Sequence, residues 1–138
     1  MVADVETLVP HRYPFLFIDT ILSASEQTIV GMKTYDEAFL FVQVCPDGRK
    51  LVPGVILLES IIQCGGAGAT QLGLVNRQRW GLASLQKVRF LDAVPVGATV
   101  SMSVSNVKVS NKLLKQTGRA QVDGKCVLRA TWLCMLLR

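Results

Sequence analysis

The sequence predicts an α+β domain, with an antiparallel sheet wrapped around one long central helix. Two observations carry that expectation. The stretch Pro53-Gly54-Val55-Ile56-Leu57-Leu58-Glu59-Ser60-Ile61-Ile62-Gln63 is apolar nearly all round and opens on Pro-Gly, which marks a buried helix starting at a proline. The last third of the chain alternates apolar and polar residues between Gly, Pro and Asp-Gly turns, the pattern of an antiparallel meander. The 138 residues suit a single domain, 1–138, with one core.

Taken in order, Asp4 is placed to cap a short turn, and Pro10-His11-Arg12-Tyr13-Pro14 forces an extended or turning path. Phe15 to Leu22 reads as a strand and Thr28 to Tyr35 as its returning partner. Asp36 to Val52 reads as loop, with turn chemistry at Cys45-Pro46-Asp47-Gly48. The helix is expected from Val55 to about Leu72, roughly 27 Å at 1.5 Å per residue. Its small residues, Cys64 to Thr70, let neighbours approach closely.

Asn76-Arg77-Gln78-Arg79 reads as a polar connection to strands over Trp80–Phe90, Thr99–Val109, Leu113–Val122 and Cys126–Leu137. A bulge near Ser105-Asn106 restores the alternation. In the last hairpin, burial favours a three-residue loop of Val122, Asp123 and Gly124. That loop pairs Ala120 with Cys126, Gly118 with Leu128, Gln116 with Ala130 and Leu114 with Trp132, putting Leu128 and Trp132 on the inner face. One helix leaves such a sheet with open edges, so dimerisation is expected.

Composition narrows the function. Half the residues are apolar, which argues against disorder, and no run reads as a membrane span. The acidic start, Met1-Val2-Ala3-Asp4-Val5-Glu6, lacks the basic region of a signal peptide. The four cysteines form no C-x-x-C and the lone histidine, His11, is distant in sequence, so no metal is expected. Reduced thiols and a cytoplasmic location follow. The net charge of +5 is scattered and lacks interleaved aromatics, which favours an acidic partner over nucleic acid.

Glu59 is the anomaly. A carboxylate in an apolar helix is costly unless it is paired, protonated or useful. Gln63 at i+4 and Gly66 at i+7 share its face, giving a carboxyl, an amide and a gap together. A structural role at a wet subunit seam stays open beside a chemical one.

Four collinear motifs carry a resemblance over almost the whole chain. Leu8-Val9-Pro10-His11-Arg12-Tyr13-Pro14-Phe15-Leu16 resembles the opening of bacterial (3R)-3-hydroxyacyl-[acyl-carrier-protein] dehydratases, and Pro53-Gly54-Val55-Ile56-Leu57-Leu58-Glu59 with Gln63 resembles their central helix. Lys87-Val88-Arg89-Phe90 and Val122-Asp123-Gly124-Lys125 are similar to later strands and their hairpin. The resemblance implies a hot-dog fold and no cofactor. It implies that Glu59 protonates a departing β-hydroxyl, with Gly54 and Val55 in the turn that polarises the thioester carbonyl. In that family a histidine from another subunit removes the α-proton.

That histidine is absent here. Counting back from Pro53, its position falls on Cys45; counting forward from Glu37-Ala38-Phe39, it falls on Gln43. Cys45 is a thiolate candidate if Arg49 and Lys50 lower its pKa; Gln43 is no base. His11 matches a histidine that the family does not use as the base.

The expected function is therefore an acyl-carrier-protein thioester-binding subunit, catalytically impaired by itself, in fatty-acid or polyene-type acyl-chain synthesis. It would form a homodimer, a higher oligomer, or a heterodimer with an active paralogue. The alternatives are an active dehydratase with a rearranged base, or a thioesterase using Glu59 and Gln63. Arg12, Arg77, Arg79 and Lys87 are candidates for docking an acidic carrier protein.

Overall fold

Asp4 opens the described chain, which comprises residues 4–75 and 80–137 of the computed structural model. Its carboxylate accepts the Glu6 N–H at 3.0 Å and caps a short 3-10 turn over Val5–Thr7. The chain then runs irregularly past Pro10 and Pro14.

The first strand is shorter than the apolar run suggested. β1 spans Thr20–Ala24 and pairs antiparallel with β2, Thr28–Thr34. Phe15 and Phe17 find hydrogen bonds on the central helix instead of a strand, whereas the Asp19 N–H still donates to Met32 O on β2 at 2.9 Å. Phe17 N–H donates to Gln63 Oε1 at 2.8 Å, Phe15 O accepts from Gln63 Nε2 at 3.1 Å, and Phe17 O accepts from Ser60 Oγ. Backbone groups satisfied by side chains leave no mark in hydrophobic periodicity.

The segment read as loop contains two short strands, β3 at Gln43–Val44 and β4 at Lys50–Val52. They flank a turn in which Gly48 takes φ 89°. The helix α1 then runs over Gly54–Gln71, 18 residues, followed by β5 at Trp80–Phe90. β6 at Val94–Pro95 completes a small sheet ordered β3-β4-β6. β7 at Thr99–Val109, β8 at Leu113–Val122 and β9 at Lys125–Leu136 follow. The main sheet is ordered β1-β2-β7-β8-β9-β5 and curls around α1, which packs on β1, β2, β7, β8 and β9.

Alternation fixes the inner face. Val100, Met102 and Val104 on β7, Leu114, Gln116, Gly118 and Ala120 on β8, and Leu128, Ala130 and Trp132 on β9 are buried. Small residues bring the layers together. A Cβ on Gly65 would collide with the Gln116 side chain, one on Gly68 with Ile29, and one on Gly31 would come 2.8 Å from Cys64 Sγ.

The register of the last hairpin corrects the expectation. Val122 pairs with Lys125 across a two-residue tip of Asp123 and Gly124, at φ 50° and 78°, the geometry of a type I′ turn. The register then shifts by one residue at Val127, so that Gln121 pairs with Cys126 but Ala120 pairs with Leu128. Beyond it, Gly118 faces Ala130 and Gln116 faces Trp132. The expected pairs are wrong, while Leu128 and Trp132 do lie on the buried face. Turn chemistry sets the tip, and a bulge restores the burial pattern. A second shift, between Asn106 and Lys108, leaves out Val107, close to the bulge expected in β7.

Candidate functional site

A cavity of about 280 Å³ opens beside α1. Glu59, Ile62, Gln63, Gly66 and Thr70 form its helix side, spaced so that all fall on one face. Leu8, Val9, Pro10 and His11 line it from the N-terminal segment. Trp80 and Leu82 from β5, Leu114 and Gln116 from β8, and Cys134 from β9 form the sheet side. The carboxyl, amide and gap read from the helix thus share one cavity.

Gln63 is the fixed point. Its Oε1 is committed to the Phe17 N–H, so its Nε2 must face the other way. There it donates to Glu59 Oε2 at 3.0 Å and to Phe15 O at 3.1 Å. The amide is buried and the carboxyl only partly so, with 26% of the Glu59 side chain exposed. Glu59 is therefore held from behind and open in front.

His11 lies on the same carboxylate. Its Nε2 is 3.6 Å from Glu59 Oε2, a charge contact when the imidazole is protonated but too long for a hydrogen bond. Its Nδ1 is buried without a hydrogen-bond partner among the described residues. The family resemblance turned attention away from this residue, yet it is the imidazole that the fold brings to Glu59.

The other candidates stand elsewhere in the chain. Cys45 is half-buried in the β3–β4 turn, where its N–H donates to Arg49 O at 2.8 Å. Arg49 turns its Nε to Asp47 Oδ2 at 2.8 Å, so its charge is shared with that carboxylate. Gly54 and Val55 form the first turn of α1, which no side chain among the described residues caps. A Cβ on Gly54 would meet the Phe90 ring at 2.7 Å, and Val55 is 66% exposed. None of Cys45, Gly54 and Val55 lines the Glu59 cavity within one chain. Gln43 is exposed on β3.

Among the docking candidates, Arg12 is engaged internally, with Nε on Glu6 Oε1 at 3.0 Å and its terminal nitrogens on the carbonyls of Glu6, Val9 and His11. Lys87 is exposed on β5. Arg77 and Arg79 lie outside the described residues.

Several supporting residues gave little sequence signal. Ser60 donates to Phe17 O and accepts the Tyr35 hydroxyl at 2.7 Å; burial keeps the Tyr35 pKa high, so it remains a donor. Gln116 Nε2 donates to Gly65 O at 3.1 Å and Asn106 Oδ1 at 2.8 Å, and its Oε1 accepts Trp132 Nε1 at 3.2 Å. A polar residue in phase with Leu114, Gly118 and Ala120 was the only clue to Gln116. Cys134 lines the cavity, and burial, then the Glu59 charge, pushes its pKa up to about 11.

A sheet rolled around one buried helix defines a hot-dog domain. A family model described as the FabA-like domain matches residues 9–131, and the chain belongs to that family. It is 35% identical to 3-hydroxyacyl-[acyl-carrier-protein] dehydratase FabZ of Xanthomonas euvesicatoria pv. vesicatoria (strain 85-10), over 96% of this chain and 90% of that one. Among solved structures, the dehydratase heterocomplex ApeI:P from Xenorhabdus doucetiae is similar in fold. Its TM-score is 0.84 at 15% identity, covering 99% of this chain and 92% of that one. A hypothetical thioesterase from Streptococcus pneumoniae TIGR4, solved with coenzyme A, gives a TM-score of 0.66 at 12% identity, covering 97% of this chain and 91% of that one.

Proposed function

We propose that the chain is an acyl-carrier-protein thioester-binding subunit of a 3-hydroxyacyl dehydratase, contributing Glu59 as the acid while a partner chain contributes the base. The observation that carries this reading is a carboxyl held by Gln63 in a largely apolar cavity, in a chain with no histidine between Phe39 and Pro53. In the reaction, the partner's base takes the α-proton and the Cα–Cβ double bond forms. The β C–O bond breaks, and the Glu59 proton goes to the departing oxygen, releasing water. N–H groups of a helix N-terminus such as Gly54–Val55 polarise the thioester carbonyl.

The relative named as a FabZ dehydratase and the heterocomplex of dehydratase subunits with the same fold support this reading. So does β5, an edge strand that exposes Leu82, Leu85 and Phe90 and offers a surface for a second chain. A second reading is favoured by the His11–Glu59 contact at 3.6 Å. The α-proton and β-hydroxyl of the substrate are on adjacent carbons, so an acid and a base this close fit a syn elimination, with His11 as the base.

The test is incubation of the purified chain, alone and with a paralogous subunit, with a 3-hydroxyacyl carrier-protein thioester. Enoyl product only with the second subunit supports the first reading. Enoyl product from the chain alone supports His11, and free acid from the chain alone supports thioester hydrolysis. No product under either condition, with no binding of the thioester, overturns all three.

A further inference from the structure

Two glycines of α1 are explained by packing, because Gly65 admits the Gln116 side chain and Gly68 admits Ile29. Gly66 is not. Among the described residues a Cβ there meets nothing within 4 Å, and no positive φ requires a glycine at this position. Alanine would make a better helix at that position. What the bare position leaves is space inside the cavity, one turn beyond Gln63 and one turn before Thr70. Thr70 bends its hydroxyl back to donate to Gly66 O at 2.9 Å, so its one donor hydrogen is already used. Beyond it the wall is largely apolar, with Val75, Leu82 and Leu114.

We infer that Gly66 is a specificity-determining residue that admits the acyl chain of the substrate past the Glu59–Gln63 pair into this apolar end. The inference rests on the proposed thioester-binding role. The ligand class it defines is a thioester whose acyl group continues as an apolar chain several carbons beyond the β-carbon. From Glu59 to Thr70 the helix rises about 16 Å at 1.5 Å per residue, so the wall is long enough for such a chain. A cavity of 280 Å³ is at the small end of ligand sites, typically about 300–1,000 Å³. Each added methyl at Gly66 would take an appreciable share of it.

The experiment compares wild type, Gly66→Ala and Gly66→Val for binding of 3-hydroxybutanoyl, 3-hydroxyoctanoyl and 3-hydroxydodecanoyl pantetheine thioesters, with thermal melts alongside. Gly66→Ala should melt higher than wild type and weaken only the longest thioester. Gly66→Val should bind the butanoyl thioester as wild type does and lose about tenfold or more with the dodecanoyl one. An equal change at all lengths, or none, overturns the inference while leaving the proposed function intact. Failure of wild type to bind any of the thioesters overturns both. The alanine variant keeps the comparison informative if the β-branched valine disturbs the helix.

Discussion

Gln63 Oε1 accepts the Phe17 N–H at 2.8 Å, and that bond aims the amide N–H group at Glu59. The residue is thus both a structural strut and the holder of the carboxyl. Gln63→Leu should leave the Phe17 N–H buried and unpartnered, costing about 1–3 kcal/mol. Urea denaturation should show a lower midpoint with an unchanged slope. A loss below about 0.5 kcal/mol would mean that water or another group satisfies Phe17.

Glu59→Gln should lower dehydration by two to four orders of magnitude, roughly the contribution of a proton-transferring side chain, while thioester binding stays within a few-fold. His11→Asn separates the two readings. If His11 is the base, kcat should fall comparably and the acidic limb of the pH–rate profile should change. If a partner supplies the base, kcat should change by less than about tenfold with the profile preserved.

Cys45→His tests where the family's histidine column falls. In a chain inactive by itself, this change should yield measurable enoyl product if the β3–β4 turn reaches a second subunit's Glu59. A gain at Gln43→His, with none at Cys45→His, would instead support the count forward from Glu37.

Alkaline stability follows from two thiols and, above pH 10.0, also from the Tyr35 hydroxyl, which burial holds above its ordinary value. Burial pushes Cys64 up to about 12, and Cys134 lies at about 11, against an ordinary thiol value of 9.0. Below pH 9.0 folded and unfolded chains both hold these protons, and the stabilisation is fully present. Above it the unfolded chain holds fewer, so stability falls as pH rises toward the folded values. The slope should approach about 1.4 kcal/mol per pH unit per thiol. Urea melts across this range should show the decline, and Cys64→Ala should make it shallower. A flat profile between pH 9.0 and 10.0, below the range where Tyr35 contributes, would show that the thiols hold their protons no more tightly in the folded chain.

Periodicity and turn chemistry made most of the framework legible. The apolar run after Pro53 gave α1 to within a residue, and alternation gave β5 and β7 at their observed ends. It failed at Phe15–Phe17, where the apolar pattern is a strand's but Ser60 and Gln63 take the hydrogen bonds of Phe15 O and the Phe17 backbone. The site was legible where helix geometry places it, at Glu59, Gln63 and Gly66. It was not legible at His11, because the approach of a loop to a helix carboxylate depends on a fold contact with no fixed sequence spacing. Family resemblance also pointed away from that residue.

The shift at Val127 divides the β8–β9 hairpin into regions with different tolerance to change. The tip answers only to backbone dihedrals, and the body beyond Leu128 answers only to what the helix accepts. An insertion or deletion near Asp123 can be absorbed by moving or erasing the unpaired residue, because the slack lies between the two. The same change beyond Ala130 would carry Trp132 and its hydrogen bond to Gln116 out of phase. Length variation among related chains should therefore collect at the tip, and the segment next to the cavity should vary by substitution alone.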